Sequence, residues 1–416
     1  MQATWGTVRI DLDATPHVLI GGTDGAGLEG AVRGFIAALR REHPPQELRL
    51  LLADPHGHQF GRLGDTVVAS TPYLVGRLNE VLLGELARRT RDPLARRPRL
   101  LVALWTLAGD TGLAPALARI ARDGAALGVH LLVSDNRYVP IPIDPYLTLR
   151  ASMRSISERQ SRDLVGVPDA YRLGLVGEAL LRAGDGPPVW LRPERADEPI
   201  PVEAAGTPPL WTPPPGAPPI PDAGSEGRRR VRLGVVDRPF EHRRDPLVCD
   251  LAESLAIVGG PQSGKTTAVR NLVTALAPAR VRVAVLDLTG RLADLAGLPH
   301  VAAVAGGRDR DAVRRTAQLA AGDPGGMLLV VDDASRLRDH DDAYDIVRLM
   351  ARRELPFVVT AHRWSEPGRR IELRLDPRDS AISPSAAALV PHEPGHGIVA
   401  GDGPGSALHV YLAPAP

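Results

Sequence analysis

One run of residues has the types and spacing for phosphate chemistry: Gly259 to Thr267, which reads GGPQSGKTT. Gly259, Gly264, Lys265 and Thr266 fall at the positions G-x-x-x-x-G-K-[ST] of a P-loop. In such a loop backbone N–H groups wrap the phosphates, the Lys reaches the outer phosphates and the hydroxyl holds Mg²⁺. The nucleotide contacts are therefore expected from Gly259, Gly260, Pro261, Gln262, Ser263, Gly264, Lys265, Thr266 and Thr267, with ATP and Mg²⁺ as the ligands. Composition points the same way. Of the 50 Lys and Arg residues, 49 are Arg and the single Lys is Lys265. A compact ammonium fits between phosphates, a task that a broad planar guanidinium does poorly.

A second group supplies carboxylates. Met327 to Val331 is an apolar run that ends in Asp332 and Asp333. A strand of that kind delivers one carboxylate to the Mg²⁺ shell and a second to the attacking water. Asp332 is assigned to the metal together with Thr266, and Asp333 to the water. Thr360, at the end of PFVVT, is placed to sense the γ-phosphate, so the catalytic set is Asp333, Lys265 and Thr360. Asp is shorter than Glu, and slow hydrolysis follows from that.

These groups need a strand before the loop and a helix after it. Leu255 to Val258 reads as a buried strand, and TTAVRNLVTALA has helical periodicity, which brings the phosphates to a helix N-terminus. Five blocks of the first half recur in the second half in the same order, and the first pair is PHVLIGGTDGAGLEG with SLAIVGGPQSGKTTA. A repeat of that length implies duplicated domains. Helical patterns lie between the blocks, at Thr71 to Arg91 and Ala312 to Ala321, and Ser157 with Gln160 forms a capping box. The fold class is α/β: two tandem RecA-like P-loop ATPase domains with mostly parallel sheets, joined by a Pro-rich linker. The expected boundaries are 1–193, linker 194–230 and 231–416.

The first half keeps the shape and loses the chemistry. Leu28 stands where the Lys belongs and Glu29 where the hydroxyl belongs, and a carboxylate repels phosphate. The strand that should end in Asp ends Leu104, Trp105, Thr106. Two requirements for Mg-nucleotide fail together, so this half is not expected to bind ATP. His56 and His58 at i, i+2 without a third ligand do not make a metal site. Arg150, Arg154, Arg159 and Arg162 read as a solvated face in preference to trans-acting fingers.

Bulk properties bound the rest. At 416 residues the chain has room for two to three domains. A net charge of +1 gives no basic field for gripping nucleic acid. The single cysteine, Cys249, excludes an intrachain disulfide and suits a cytosolic setting. No run reaches the ~18 apolar residues of a membrane helix, and the N-terminus lacks a signal-peptide pattern. Any membrane association is expected to come through a partner.

The segments PHVLIGGTDGAG, LRLLLADPHG, SERQSRDLVGVPDA and GEALLRAGDGPPV resemble an FtsK/SpoIIIE-type ATPase domain. LGVVDRPFEHRRDPLVCDL, IVGGPQSGKTT, VVDDAS, LRLDPRDSAIS and VPHEPGHGIVAGD resemble the last ATPase domain of the EccC family, the motor of type VII secretion. That family has an N-terminal membrane segment and three tandem ATPase domains, and this chain resembles the last two. It lacks the membrane segment and the first domain, which would make it a piece or a separately encoded subunit. The resemblance implies that the family's first domain is the main hydrolase. It implies last domains that are regulatory and bind the C-terminal helix of small WXG-type export substrates. Further implied partners are membrane-anchored secretion subunits, the missing ATPase domain or a second copy of the chain, at the cytoplasmic face of the membrane.

Two other readings stay open. One is a DNA translocase, which the same lineage includes; the near-neutral charge and the lack of a C-terminal DNA-reading domain stand against it. The other is a non-hydrolysing scaffold in which ATP is a structural ligand.

Overall fold

The apolar runs that answer one another in the two halves become matching strands. The computed structural model describes residues 1–23, 25–54, 66–67, 71–95, 97–105, 112–135, 142–193, 210–212, 214, 230–279, 281–323, 326–339, 346, 348, 355–365, 368–403 and 406–414. His56, His58, Thr106 and most of the 194–230 segment lie outside them.

In the first half the strands are β1 (Gln2–Trp5), β2 (Val8–Asp11), β3 (Val18–Gly21), β4 (Leu48–Ala53), β5 (Thr66–Val67), β6 (Arg99–Trp105), β7 (Val129–Asp135), β8 (Leu149–Ser152), β9 (Ala179–Ala183) and β10 (Val189–Leu191). Their sheet runs β10-β9-β8-β3-β7-β6-β4-β5, and β1 and β2 pair apart from it. In the second half they are β11 (Arg230–Arg238), β12 (Arg243–Asp250), β13 (Leu255–Val258), β14 (Arg282–Asp287), β15 (Val301–Gly306), β16 (Met327–Asp332), β17 (Phe357–Ala361), β18 (Arg369–Leu373), β19 (His396–Ala400) and β20 (Ala407–Leu412). Here the order is β12-β11-β20-β19-β18-β13-β17-β16-β14-β15. Each of the eight main strands of the first sheet has its counterpart ten places on, in the same order. The difference is at one edge, where the β11–β12 hairpin joins the sheet through β20.

The strands around β3 and β13 are parallel, and the β8–β9–β10 and β18–β19–β20 ends are antiparallel. Helices α1 (Leu28–Glu42), α2 (Pro72–Arg91), α3 (Ala114–Asp123), α4 (Glu158–Val165), α5 (Lys265–Ala275) and α6 (Arg310–Ala321) complete the described layers. Three of these helices have side-chain caps, of which the one at Ser157 was expected from the sequence. Thr71 accepts from the Leu74 N–H and Ser157 from the Gln160 N–H. The Gln160 side chain returns to the Ile156 N–H, one residue before the cap. Asp309 caps α6 through the Ala312 N–H.

Contacts divide the described chain into two units, Met1–Pro213 with Pro239–His242, and Pro214–Arg238 with Arg243–Pro416. Two residues of the segment expected to be linker pack into the first unit. Leu210 is buried among side chains of α2 and α3, and the Arg77 guanidinium lies 4.7 Å from the centre of the Trp211 ring. Proline density hides such an anchor: a single buried Leu with a Trp under a cation needs no periodic pattern. In each unit the sheet separates two apolar layers, one against α1 or α5, the other against α2 and α3 or α6.

One buried charge ties the second sheet together. Glu372 on β18 is fully buried, and its carboxylate accepts from Arg370 Nε at 2.6 Å, from the Ser380 hydroxyl and from the Ala381 N–H at 2.8 Å. Removing only the cation leaves a buried carboxylate without its counter-charge. Arg370→Met is therefore expected to destabilise the second unit by about 3–5 kcal/mol, whereas Arg370→Met with Glu372→Leu should recover most of that loss. Denaturant titration of wild type, both single variants and the double variant measures this, and a double variant as weak as Arg370→Met would contradict it.

Candidate functional site

β13 is a run of four buried apolar residues, and α5 starts at Lys265, so the loop between them is forced to turn over the carboxyl end of the sheet. Gly264 caps α5 with φ +102°, and a Cβ there would lie 2.9 Å from the Gly395 nitrogen. Only glycine fits that turn and that approach. The loop is clasped from the other side: the Gly395 N–H donates to the Ser263 carbonyl at 2.9 Å, and the Gly260 N–H to the Arg374 carbonyl at 2.7 Å. The Arg374 guanidinium spans the Pro261 and His392 carbonyls at 2.9 and 2.8 Å.

Lys265 Nζ donates to the Gly259 and Gly260 carbonyls at 2.7 and 2.6 Å. Burial lowers its pKa, and Asp333 and Asp332 act in the opposite sense. Asp332 ends β16 with 1% exposure. Its carboxylate accepts from Thr360 Oγ1 at 2.7 Å, from Thr289 Oγ1 at 2.8 Å and from Thr266 Oγ1 at 3.1 Å. The metal pair expected from the sequence, Thr266 and Asp332, is thus brought together.

Asp333 leaves the strand at φ +66° and its N–H donates to Thr360 Oγ1 at 2.8 Å. Its carboxylate is turned to the Ser335 hydroxyl and to Arg336 Nε at 3.0 Å. Thr360 is fully buried and lines the cleft, with its hydroxyl engaged by Asp332 and by the Asp333 N–H. It straps the two acids to β17. Pro261 to Thr267 line the same cleft, with Thr289, Arg291, Arg336 and His362, which sequence reasoning missed. Asp287 at the end of β14 was also missed. It is buried and accepts from the Arg291 and Leu292 N–H groups at 3.0 and 2.8 Å. The signal for it was VAVLDLTG, an apolar strand that ends in an acid.

The residues fit a Mg-nucleotide. The glycine turn leaves room for phosphate, an ammonium and a helix N-terminus face the same space, and the Ser263 hydroxyl is buried with no protein partner. Bound Mg²⁺ would supply charge neutralisation at the phosphates, with Thr266 and Asp332 as its protein partners.

The first unit repeats this shape in detail. Gly27 caps α1 at φ +92°, with a Cβ position 3.0 Å from the Gly177 nitrogen. The Gly177 N–H donates to Ala26 O at 2.9 Å and the Thr23 N–H to Arg154 O at 2.9 Å. Leu28, in the Lys position, is buried, and Glu29 is 3.4 Å from Arg33 on its own helix. Asp54 and Asp135, after β4 and at the end of β7, are buried, and Asp135 pairs in register with Gly21 at the start of the loop. Among the described residues the loop has a buried Leu in the Lys position and carboxylates near it, which disfavours phosphate there. The nearby arginines have local partners: Arg150 holds Asp144 at 2.9 Å, Arg162 holds Glu158 at 2.9 Å and Arg159 lies 4.0 Å from Asp163.

A mostly parallel sheet in the order described defines the RecA-like P-loop fold, present twice, with the phosphate loop's lysine and hydroxyl only in the second unit. The FtsK/SpoIIIE family model matches residues 6–97 and 223–320. Both halves of the chain are thus similar to the FtsK/SpoIIIE family. It is 29% identical to the ESX secretion system protein EccC of Thermomonospora curvata, over 92% of this chain and 42% of that protein. The solved cytoplasmic domain of the Thermomonospora curvata type VII secretion ATPase EccC aligns with all of this chain and 63% of its own, at TM-score 0.85 and 26% identity. ATPases 2 and 3 of that EccC, solved in complex with a signal sequence peptide, share the fold at TM-score 0.66 and 16% identity, over 98% of this chain and 90% of that one. The chain spans less than half the length of the curated EccC relative. No described helix is long and apolar enough to cross a membrane.

Proposed function

We propose that this chain is the ATP-binding, regulatory segment of a type VII secretion motor. It takes one Mg-ATP, in the second unit, turns it over slowly, and receives the C-terminal helix of a small WXG-type export substrate. Similarity to EccC along nearly the whole chain, together with one intact and one disabled phosphate loop, is the observation that carries this reading. On this reading the chain works in the cytoplasm under a membrane complex. Its further partners there are membrane-anchored secretion subunits, an additional ATPase domain or copies of itself.

Slow turnover rests on Asp333. Its two carboxylate oxygens are engaged by Ser335 and Arg336 of the same loop, so it is held away from an attacking water. Turnover well below the ~1–10³ s⁻¹ of typical enzymes is expected.

A candidate receiving surface lies in the second unit. A cavity of about 980 Å³ opens at the amino ends of β13 and β18, the opposite ends from the P-loop, and is lined by apolar residues such as Leu247, Cys249, Leu255 and Ile371 together with the charged Glu253 and Arg369. Burial pushes the Cys249 thiol up to about 12, so it acts there as an apolar side chain. Such a cavity suits the apolar anchors of an amphipathic helix. A labelled C-terminal peptide of a WXG-type protein should bind at micromolar concentration or below, worth about 8 kcal/mol at 1 μM. Salt should change this little and Ala400→Trp at the mouth should weaken it. Absent peptide binding, together with duplex DNA that binds and is released steeply by salt, would give the place to the translocase reading.

A further inference from the structure

Asp332 is held from three sides by hydroxyls on three different elements. β16 lies between β17 and β14 in the sheet, and each neighbour delivers one of them. Thr360, on β17, holds Oδ1 at 2.7 Å, and Thr289, two residues past β14, holds Oδ2 at 2.8 Å. Thr266, at the start of α5, reaches Oδ2 at 3.1 Å. Thr289 is itself fixed at the buried end of β14, 3.1 Å from Asp287 Oδ1. The Thr289 hydroxyl has one proton, and the shorter distance gives it to Asp332, while Asp287 keeps two backbone N–H donors.

The three hydroxyls are not equivalent. In a P-loop the hydroxyl after the Lys turns to the metal when Mg-nucleotide arrives. Thr266 then leaves Oδ2, and the Thr289 hydroxyl still holds that oxygen. We propose that Thr289 is a positioning residue for the metal: it keeps the Asp332 carboxylate aimed at the Mg²⁺ shell after Thr266 has been drawn away. Its effect on nucleotide affinity is felt when metal is bound. Hydroxyls in this relation to a metal's carboxylate partner are worth tenfold to a hundredfold in metal affinity. The inference rests on the assignment of Asp332 to the metal.

The test is ATP binding to the full chain by calorimetry, with Mg²⁺ and with EDTA. In Thr289→Val the gain in ATP affinity that Mg²⁺ brings should fall by about tenfold to a hundredfold. Affinity in EDTA should change by much less than the Mg²⁺ gain, and the melting temperature without nucleotide should fall by a few degrees at most, as the loss of one hydrogen bond requires. Thr289→Ser should restore the Mg²⁺ gain, a rescue that a purely structural methyl would not show. If Thr289→Val does not fold, Thr289→Ala against Thr289→Ser carries the same comparison. A Mg²⁺ gain within twofold of wild type in the folded Val or Ala variant overturns the role of Thr289. Asp332→Ala separates the two failures. If it too keeps the full Mg²⁺ gain, the assignment of Asp332 is wrong, and if it alone loses the gain, only the inference about Thr289 fails.

Discussion

Lys265→Ala is expected to abolish the stabilisation that ATP gives the second unit. At an ATP concentration a hundred times Kd, wild type gains about 2.7 kcal/mol. For a unit of this size that is a rise of roughly 5–10 °C in melting temperature. Without nucleotide the same substitution removes only hydrogen bonds from Nζ to the Gly259 and Gly260 carbonyls. Those are worth about 1 kcal/mol each, so the unliganded variant should itself melt several degrees lower, and the quantity compared is the further rise that ATP gives each protein. Lys265→Arg should not rescue binding. The guanidinium keeps the charge but must fit a loop whose last turn already touches Gly395. Thermal melts of the three proteins with and without Mg-ATP settle the point, and an undiminished shift in Lys265→Ala contradicts it. A second probe follows from composition. Lys265 and the N-terminus are the chain's only amines, so acylation at Lys265 should fall when ATP binds while labelling of Met1 does not.

The P-loop was legible because its spacing is local: nine consecutive residues carry the strand end, the turn glycine, the ammonium and the hydroxyl. The acids were legible for the same reason, since an apolar run that ends in Asp-Asp is a pattern within one strand. Strand order was legible through the repeat. A block that recurs in the same order must fold the same way, and the two sheets do share one order. The hidden features depend on residues that only the fold brings together. Thr289 is 43 residues from Asp332 in sequence, and its hydroxyl has no meaning until β14 and β16 lie side by side. Arg336 stands three residues after Asp333 and could have been noticed. A 3₁₀ turn, not an α-helix, follows the acid, though, and sequence periodicity does not predict which way its side chains point. In the linker, proline density concealed Leu210 and Trp211. Composition reports the average character of a segment, while an anchor needs only two side chains.

Acid should destabilise the first unit through two histidines that play no part in nucleotide chemistry. His17 and His130 are 1% and 2% exposed at the amino ends of β3 and β7. His17 Nδ1 accepts the Leu131 N–H at 3.1 Å, and His130 Nδ1 lies 3.0 Å from the Pro16 carbonyl. Both fit neutral rings in fixed tautomers. Burial is the main cause that pulls each pKa from 6.5 down to about 4. The Ala121 carbonyl opposes it at His17, and at His130 the Pro16 carbonyl opposes it while His17, Arg99 and the N-terminus add to it. The unfolded chain therefore takes up protons first as pH falls. Stability is complete above about pH 6.5 and is lost as pH falls towards 4, by about 3 kcal/mol for each ring at 1.36 kcal/mol per pKa unit. The two losses are coupled, because a first imidazolium repels the second. The pair His17→Asn and His130→Asn keeps an acceptor for Leu131 and a donor for Pro16 but removes the titration. Denaturant midpoints at pH 7 and pH 4.5 should lie far apart in wild type and markedly closer in the double variant, and an equal pH dependence in both proteins would refute the assignment.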